Sequence, residues 1–194
     1  MGRNSTVERK TAETDIRIKL EIDGSGISVM DLPVPFLKHM LESFAKHGCF
    51  DIEIAASGDI ENDPHHLVED LGICLGKVFS ECLGDRAGIR RFGFAVVPMD
   101  ESEASVSIDI GGRPYLRYNV DILNEKIGNM STMLVEDFFR AFSTSAMMNI
   151  HISKNSGINS HHIIEAVFKA FALALKAAAG SSGNRSIPST KGLI

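Results

Sequence analysis

Two five-residue runs, His65-His66-Leu67-Val68-Glu69 and His161-His162-Ile163-Ile164-Glu165, each offer two imidazoles and a carboxylate on adjoining helical turns, and the second run lies half a chain beyond the first. Side chains four apart share a helix face. His65 with Glu69 and His161 with Glu165 can therefore converge on one ion, while His66 and His162 are turned roughly 100° away and are free to serve another. Nitrogen and oxygen donors in this mixture suit manganese, iron, cobalt, nickel or zinc better than calcium or magnesium. An isolated run of this kind is an ordinary, partly exposed helix start. Its recurrence in the same setting reads as a duplicated metal-binding half.

Other residues have chemistry to offer but less specific spacing. His39, beside Met40 in an amphipathic stretch, is either a third nitrogen donor or a surface histidine; His47 before Gly48 reads as a helix cap, and His151 in an alternating strand as structural. Arg90 and Arg91 flank a strand and Arg113 sits in a Gly-Gly-Arg-Pro turn, where guanidinium forks can grip a phosphate. Lys169 falls one turn beyond Glu165 on the same helical face, so a ligand touching the metal can reach its ammonium. The first run has Ile73 at the matching place, which gives the two clusters different partners. The segment 187–192 sets a lysine beside two hydroxyls, as a phosphate clamp or as an unstructured end.

The elements that must carry these groups also repeat. Residues 11–22 alternate as a strand, Asp23-Gly24-Ser25-Gly26 predicts a hairpin turn into a strand near 27–32, and apolar positions at helical spacing predict a helix over 36–46. A strand at 49–57 follows, then Asp63-Pro64 as cap and first turn of a helix running to Gly84. The second half predicts strands near 92–97, 104–110 and 115–120, a helix near 130–144, a strand at 147–153 and a helix ended by Gly180. Motif, apolar face, preceding strand and terminal glycine repeat together, which makes duplication the best account. The fold expected is α+β, with a first repeat at 1–88 and a second at 89–180 packed as one globular unit, each a roughly four-stranded sheet with two helices on one face. Residues 181–194 form a Gly/Ser-rich tail, expected to be mobile until something orders it.

Composition bounds the rest. With 194 residues and 44% hydrophobic content there is ample material for a core, and 25 acidic against 20 basic residues give a net charge of -5 with no electrostatic reason to expect nucleic acid. Cys49, Cys74 and Cys82 lack CxxC spacing and sit in apolar runs, as buried thiols of a reducing compartment do. No signal peptide or membrane span is expected, and the cytoplasm is the default. From residues alone, metals at such clusters would equally suit hydrolysis of a small phosphorylated compound, or a non-enzymatic protein whose histidines only stitch subunits together.

Further runs narrow the choice: Thr11-Ala-Glu-Thr14, Phe36-Leu-Lys-His-Met-Leu41, His47-Gly-Cys-Phe-Asp51, Asp63-Pro-His-His-Leu-Val-Glu-Asp70, Gly88-Ile-Arg-Arg-Phe-Gly93, Val97-Pro-Met-Asp-Glu101, Gly112-Arg-Pro-Tyr115, Asn159-Ser-His-His-Ile-Ile-Glu-Ala166 and Pro188-Ser-Thr-Lys-Gly192. Over nearly its whole length the chain resembles the imidazoleglycerol-phosphate dehydratases of histidine biosynthesis. The resemblance implies a tandem duplication of a ribosomal-protein-S5-domain-2-like half, trimers assembled into a 24-subunit shell, and two manganese ions per active site between subunits. It implies His39, His65, His66, Glu69, His161, His162 and Glu165 as metal ligands. The remaining family ligand is a histidine before the Phe-Phe of the third helix; here that position is Asp137, an oxygen donor in place of nitrogen. Lys38 stands where the family usually has an aspartate.

The resemblance further assigns Glu13 and the Asp100 region to the substrate side, and Arg91, Arg113, Lys169, Ser189 and Lys191 to the phosphate of imidazole glycerol phosphate. The proton to be lost sits on a carbon of the glycerol chain and is too weakly acidic for an unaided carboxylate. A metal-bound imidazolate would absorb the electron density and help expel the neighbouring hydroxyl, with Glu165 or Glu13 shuttling protons. Ordering of the 187–192 tail over the ligand would exclude water.

Overall fold

In the computed structural model, which describes residues 2–61 and 63–194, the chain is an α+β protein of two four-stranded sheets, a two-stranded ribbon and four helices. Its first half runs β1 (Asn4–Lys10), β2 (Thr14–Glu21), β3 (Ser28–Asp31), α1 (Pro35–Gly48), β4 (Asp51–Gly58) and α2 (His65–Leu83). The second runs β5 (Phe92–Met99), β6 (Ser102–Asp109), β7 (Tyr115–Asn119), β8 (Lys126–Ile127), β9 (Met130–Ser131), α3 (Leu134–Ala146), β10 (Asn149–Ser156) and α4 (Ser160–Ala179). Strand order is β1-β2-β4-β3 in one sheet and β5-β6-β10-β7 in the other. In both, the third strand of the half lies parallel to its last and every other pairing is antiparallel.

This pairing corrects the expected hairpin at 23–26. β2 turns back on β1, with Val7 opposite Ile18, and β3 pairs instead with β4 in parallel. A parallel pair needs a long crossover, and α1 supplies it. The loop between β2 and β3 is held by Asp51, whose Oδ1 accepts the amides of Ser25 (2.8 Å) and Ile27 (2.9 Å). These amides stabilise the charged form and lower the Asp51 pKa. A carboxylate depressed in the folded state stabilises above its unfolded pKa and loses that contribution as pH falls through the folded one. Asp51→Ala should therefore melt below the parent at neutral pH, with the gap closing below about pH 4, the unfolded value. A gap unchanged down to the acid limit of folding would point to some cause other than this charge.

The third helix starts later than its apolar pattern predicts. Residues 126–131 form the β8–β9 ribbon, and Thr132 closes it by donating its amide to the Glu125 carbonyl (2.9 Å) and its hydroxyl to that of Asn124 (2.8 Å). The helices bearing the histidine pairs start under side-chain control. Asn159 caps α4, its side chain accepting the amide of His161 at 3.0 Å, whereas the cap of α2 is Pro64 rather than the expected Asp63, which lies one residue further out and accepts the His65 amide at 2.8 Å. Gly84 and Gly180 follow the ends of these two helices.

α2 lies on β1 and β2, α4 on β5 and β6, and the halves meet helix to helix, α2 on α3 and α1 on α4. Fully buried phenylalanines lock this arrangement. Phe44 of α1 stacks on Phe171 of α4 at 5.4 Å, Phe171 meets Phe142 of α3 at 5.0 Å, and Phe142 meets Phe79 of α2 at 6.3 Å. Such contacts contribute beyond simple area burial. Close approach of α2 to α3 depends on Gly72 and Gly76, where an added Cβ would lie 2.5 Å from the Phe138 carbonyl oxygen and 2.6 Å from that of Phe142. Buried Arg86 donates to the Ala146 carbonyl (3.2 Å), capping α3 from beyond the end of α2.

Candidate active site

The fold sorts the candidate ligands into separate clusters. On α4, His161 Nε2 lies 3.2 Å from Glu165 Oε2, and α1 brings His39 Nε2 to 3.4 Å from the same oxygen. The three donor atoms lie within 4.8 Å of one another, close enough to share a metal ion. Lys169, also on α4, holds the other Glu165 oxygen at 2.8 Å, and Phe36 meets the His161 ring edge-on at 5.2 Å. Burial works to raise the pKa of Glu165, but Lys169 and His39 outweigh it and hold the carboxyl below its ordinary range. The result is a buried, anionic carboxylate with one oxygen anchored and one facing two imidazoles.

The matching residues of the first half stand in a looser group. His65 Nε2 is 3.9 Å from Glu69 Oε2, and Asp137 arrives from α3 with Oδ2 3.8 Å from His65 Nδ1. In both groups a helix of the opposite half contributes the third side chain.

The second histidine of each pair turns away, as helical geometry requires. His66 Nδ1 lies 3.2 Å from Asp59 and 3.7 Å from Glu13, and these three donors also fall within 4.8 Å of one another. His162 Nδ1 lies 2.8 Å from Glu101, with Asp100 at 3.8 Å from its Nε2. The carboxylates raise the pKa of both imidazoles, through the hydrogen bonds of Asp59 and Glu101 first. Glu101 in turn is drawn down to about 2 by His162 and the Asn159 amide.

Asp59 was not anticipated from the sequence, and Glu101 only through its neighbour Asp100. Glu101 stands just before β6 as Glu13 stands just before β2, so the repeat itself carried the signal. Asp59, in a loop after β4, carried none. His151 is exposed on the sheet surface beside Tyr115, and His47 is exposed in the last turn of α1, whose left-handed terminal residue is Cys49.

The anion-binding candidates are gathered in part. Arg91, Arg113, Ser189 and Lys191 line one cavity of about 270 Å³, closed on one side by the Gly111-Gly112 turn. Arg91 is held there by Asp109 (2.7 and 3.1 Å) and donates to the Pro188 carbonyl at 2.9 Å. The tail is further tied by Ser182 N to Gly88 O (2.8 Å) and Gly88 N to Ser186 O (3.0 Å). Lys169 is not among the residues lining that cavity; its ammonium is committed to Glu165.

These features define a class: an α+β metalloprotein with a carboxylate–imidazole centre and a basic cavity. A family model for imidazoleglycerol-phosphate dehydratase matches residues 33–175. The imidazoleglycerol-phosphate dehydratase of Geobacter sulfurreducens is 51% identical over 195 residues, covering all of both chains, and that of Desulforudis audaxviator is 48% identical over 192 residues, covering 99% of this chain and 98% of the relative. The crystal structure of the Staphylococcus aureus enzyme superposes with a TM-score of 0.84 at 38% identity over 92% of this chain and 99% of that one. The Pyrococcus furiosus enzyme, solved in complex with (S)-C348, gives 0.84 at 34% identity over 97% and 100%. The chain belongs to the imidazoleglycerol-phosphate dehydratase family, and it is an enzyme of the hydro-lyase class. Among the described residues no helix is long and apolar enough to cross a membrane.

Proposed function

We propose that the chain catalyses manganese-dependent dehydration of D-erythro-imidazole glycerol phosphate to imidazole acetol phosphate in cytoplasmic histidine biosynthesis. Two manganese ions would serve each active site, formed between subunits of trimers that build a 24-subunit shell. The observation that carries the reading is the convergence of His39, His161 and Glu165, a donor set of the right chemistry for such an ion, with Lys169 fixing the carboxylate from behind. His65, Glu69 and Asp137 form the matching set, and His66 and His162, turned outward, are the ligands offered across the subunit interface. Bound ions would supply an electron sink for the imidazole ring of the substrate.

The chain's own groups do the rest. Reaction expels the hydroxyl from the carbon bearing the imidazole as water and removes the proton from the neighbouring, middle carbon of the glycerol chain; the enol so formed becomes the ketone. Glu165, anionic and buried, and Glu13, near His66, are the carboxylates suited to carry protons between these positions. Arg91, Arg113, Ser189 and Lys191 bind the phosphate, and Lys169, beside Glu165, adds its ammonium to the ligand. Their grip fixes the reacting carbon, which is the larger part of what phosphate binding contributes. Residues 181–194, tied to Arg91 through Pro188, act as a cover that excludes water once phosphate is bound.

The common strand order, the third donor supplied across the halves in both clusters and the like positions of Glu13 and Glu101 all support tandem duplication of a ribosomal-protein-S5-domain-2-like unit, with repeats at 1–88 and 89–180. The test is an assay of metal-stripped protein with imidazole glycerol phosphate before and after manganese is added. Ketone formed only with manganese and without free phosphate is the expected result. Free phosphate without ketone would replace the dehydratase by a phosphate-releasing hydrolase, and no ketone under either condition would reject the activity.

A further inference from the structure

The two clusters that stand in for one another are unequal in their donors. On the α4 side the set is two imidazoles and one carboxylate; on the α2 side it is one imidazole and two carboxylates. Their surroundings differ as well. The Glu165 side chain is 9% exposed and carries the Lys169 ammonium, whereas those of Glu69 and Asp137 are 50% and 39% exposed, and among the described residues neither pairs with a lysine or arginine. The α4 set is therefore nitrogen-rich, compact and close to electrically neutral once Lys169 is counted. The α2 set is oxygen-rich, more open to water and carries two uncompensated negative charges.

From this contrast, and resting on the reading of both clusters as metal positions, we infer that Asp137 makes the α2 position a weaker, exchangeable site that accepts oxygen-preferring divalent cations, while the α4 position holds its ion tightly. Carboxylate and water accept magnesium as well as manganese, whereas imidazole discriminates against magnesium. A bound carboxylate fixed from behind loses less freedom on coordination than one that is free in solvent, which strengthens the α4 position further. Exposed ligands also leave room for water to compete. Magnesium, a poor ligand partner for imidazole, should thus displace manganese from the α2 position and leave the α4 position occupied.

The experiment is equilibrium dialysis of the assembled full-length protein against manganese, with bound metal counted by mass spectrometry and free manganese by paramagnetic resonance. Two classes of bound manganese are expected, with dissociation constants at least about tenfold apart, the factor that corresponds to 1.4 kcal/mol, and excess magnesium should empty only the weaker. Asp137→His should tighten the weaker class toward the stronger, since Asp137 borders an open cavity of about 400 Å³ with Tyr118, Glu136 and Arg140 that can take the larger ring. Asp137→Asn, which keeps the shape and removes the charge, should weaken that class further; it serves as the second variant should the histidine perturb α3, with assembly size checked by light scattering. A single class of sites, magnesium displacing both equally, or a weak class indifferent to both Asp137 variants would overturn the inference and leave the metal-centre reading standing. Absence of retained manganese in the parent protein would overturn both.

Discussion

Glu165→Gln is expected to lower kcat by roughly 100- to 10,000-fold, the range typical for a group that carries protons in the transition state. Glutamine keeps the shape of the side chain and its burial, so the fold should survive. What it removes is the charge that faces His39 and His161 and neutralises Lys169. The amide can keep only part of these contacts, and the half-buried lysine is left without its counter-ion, so retained metal should fall together with turnover. Metal content of purified protein and the rate of ketone formation, measured on the same sample, decide the matter. If both match the parent, Glu165 lies outside the working site and the α4 cluster has been misread.

The largest structural effect should come from Gly72→Ala. The new Cβ would sit 2.5 Å from the Phe138 carbonyl oxygen and 3.0 Å from the Ala141 Cβ, and a backbone oxygen inside a helix cannot step aside as a flexible side chain would. α3 must move off α2. Overpacking of this kind costs about 1–3 kcal/mol, or about 2–4 °C of melting temperature per kcal/mol in a chain of this size. Because Phe138 directly follows Asp137, the same displacement should widen the 3.8 Å approach of Asp137 to His65 and weaken the α2 cluster more than the α4 cluster. Calorimetry combined with manganese titration separates the two effects. An unchanged melting temperature would mean that the helices can part here at no cost.

Those glycines illustrate how far the sequence alone reaches. The histidine clusters were legible because a repeated motif multiplies a weak local signal, and β2, α1, α2 and α4 were legible because their apolar residues keep a strict period. β1 was not. In Asn-Ser-Thr-Val-Glu-Arg-Lys only Val7 is buried, and an edge strand with one covered residue has no alternation to read. The hairpin predicted at 23–26 failed because turn residues mark where a chain bends and say nothing about which strand it rejoins. Likewise the apolar pattern before α3 ran on into the β8–β9 ribbon, where hydrogen bonds from Thr132 overrule local propensity. For the site, two ligands on one helix follow from spacing, but the arrival of His39 beside Glu165 and Asp137 beside His65 depends on helices from opposite halves. Without the family resemblance, no spacing in the sequence would pair them.

That exchange of one side chain across the middle of the molecule has a consequence for how this sequence can drift. A residue such as Phe142, which is not itself one of the ligand candidates, packs α3 against both α2 and α4 and so helps to set the helix spacing on which both clusters depend. Substitutions in the aromatic core cannot be offset within one half, since any repair that restores packing on one side shifts a donor belonging to the other. The two halves are therefore mechanically tied, and positions that look purely architectural also set the spacing of the histidine clusters.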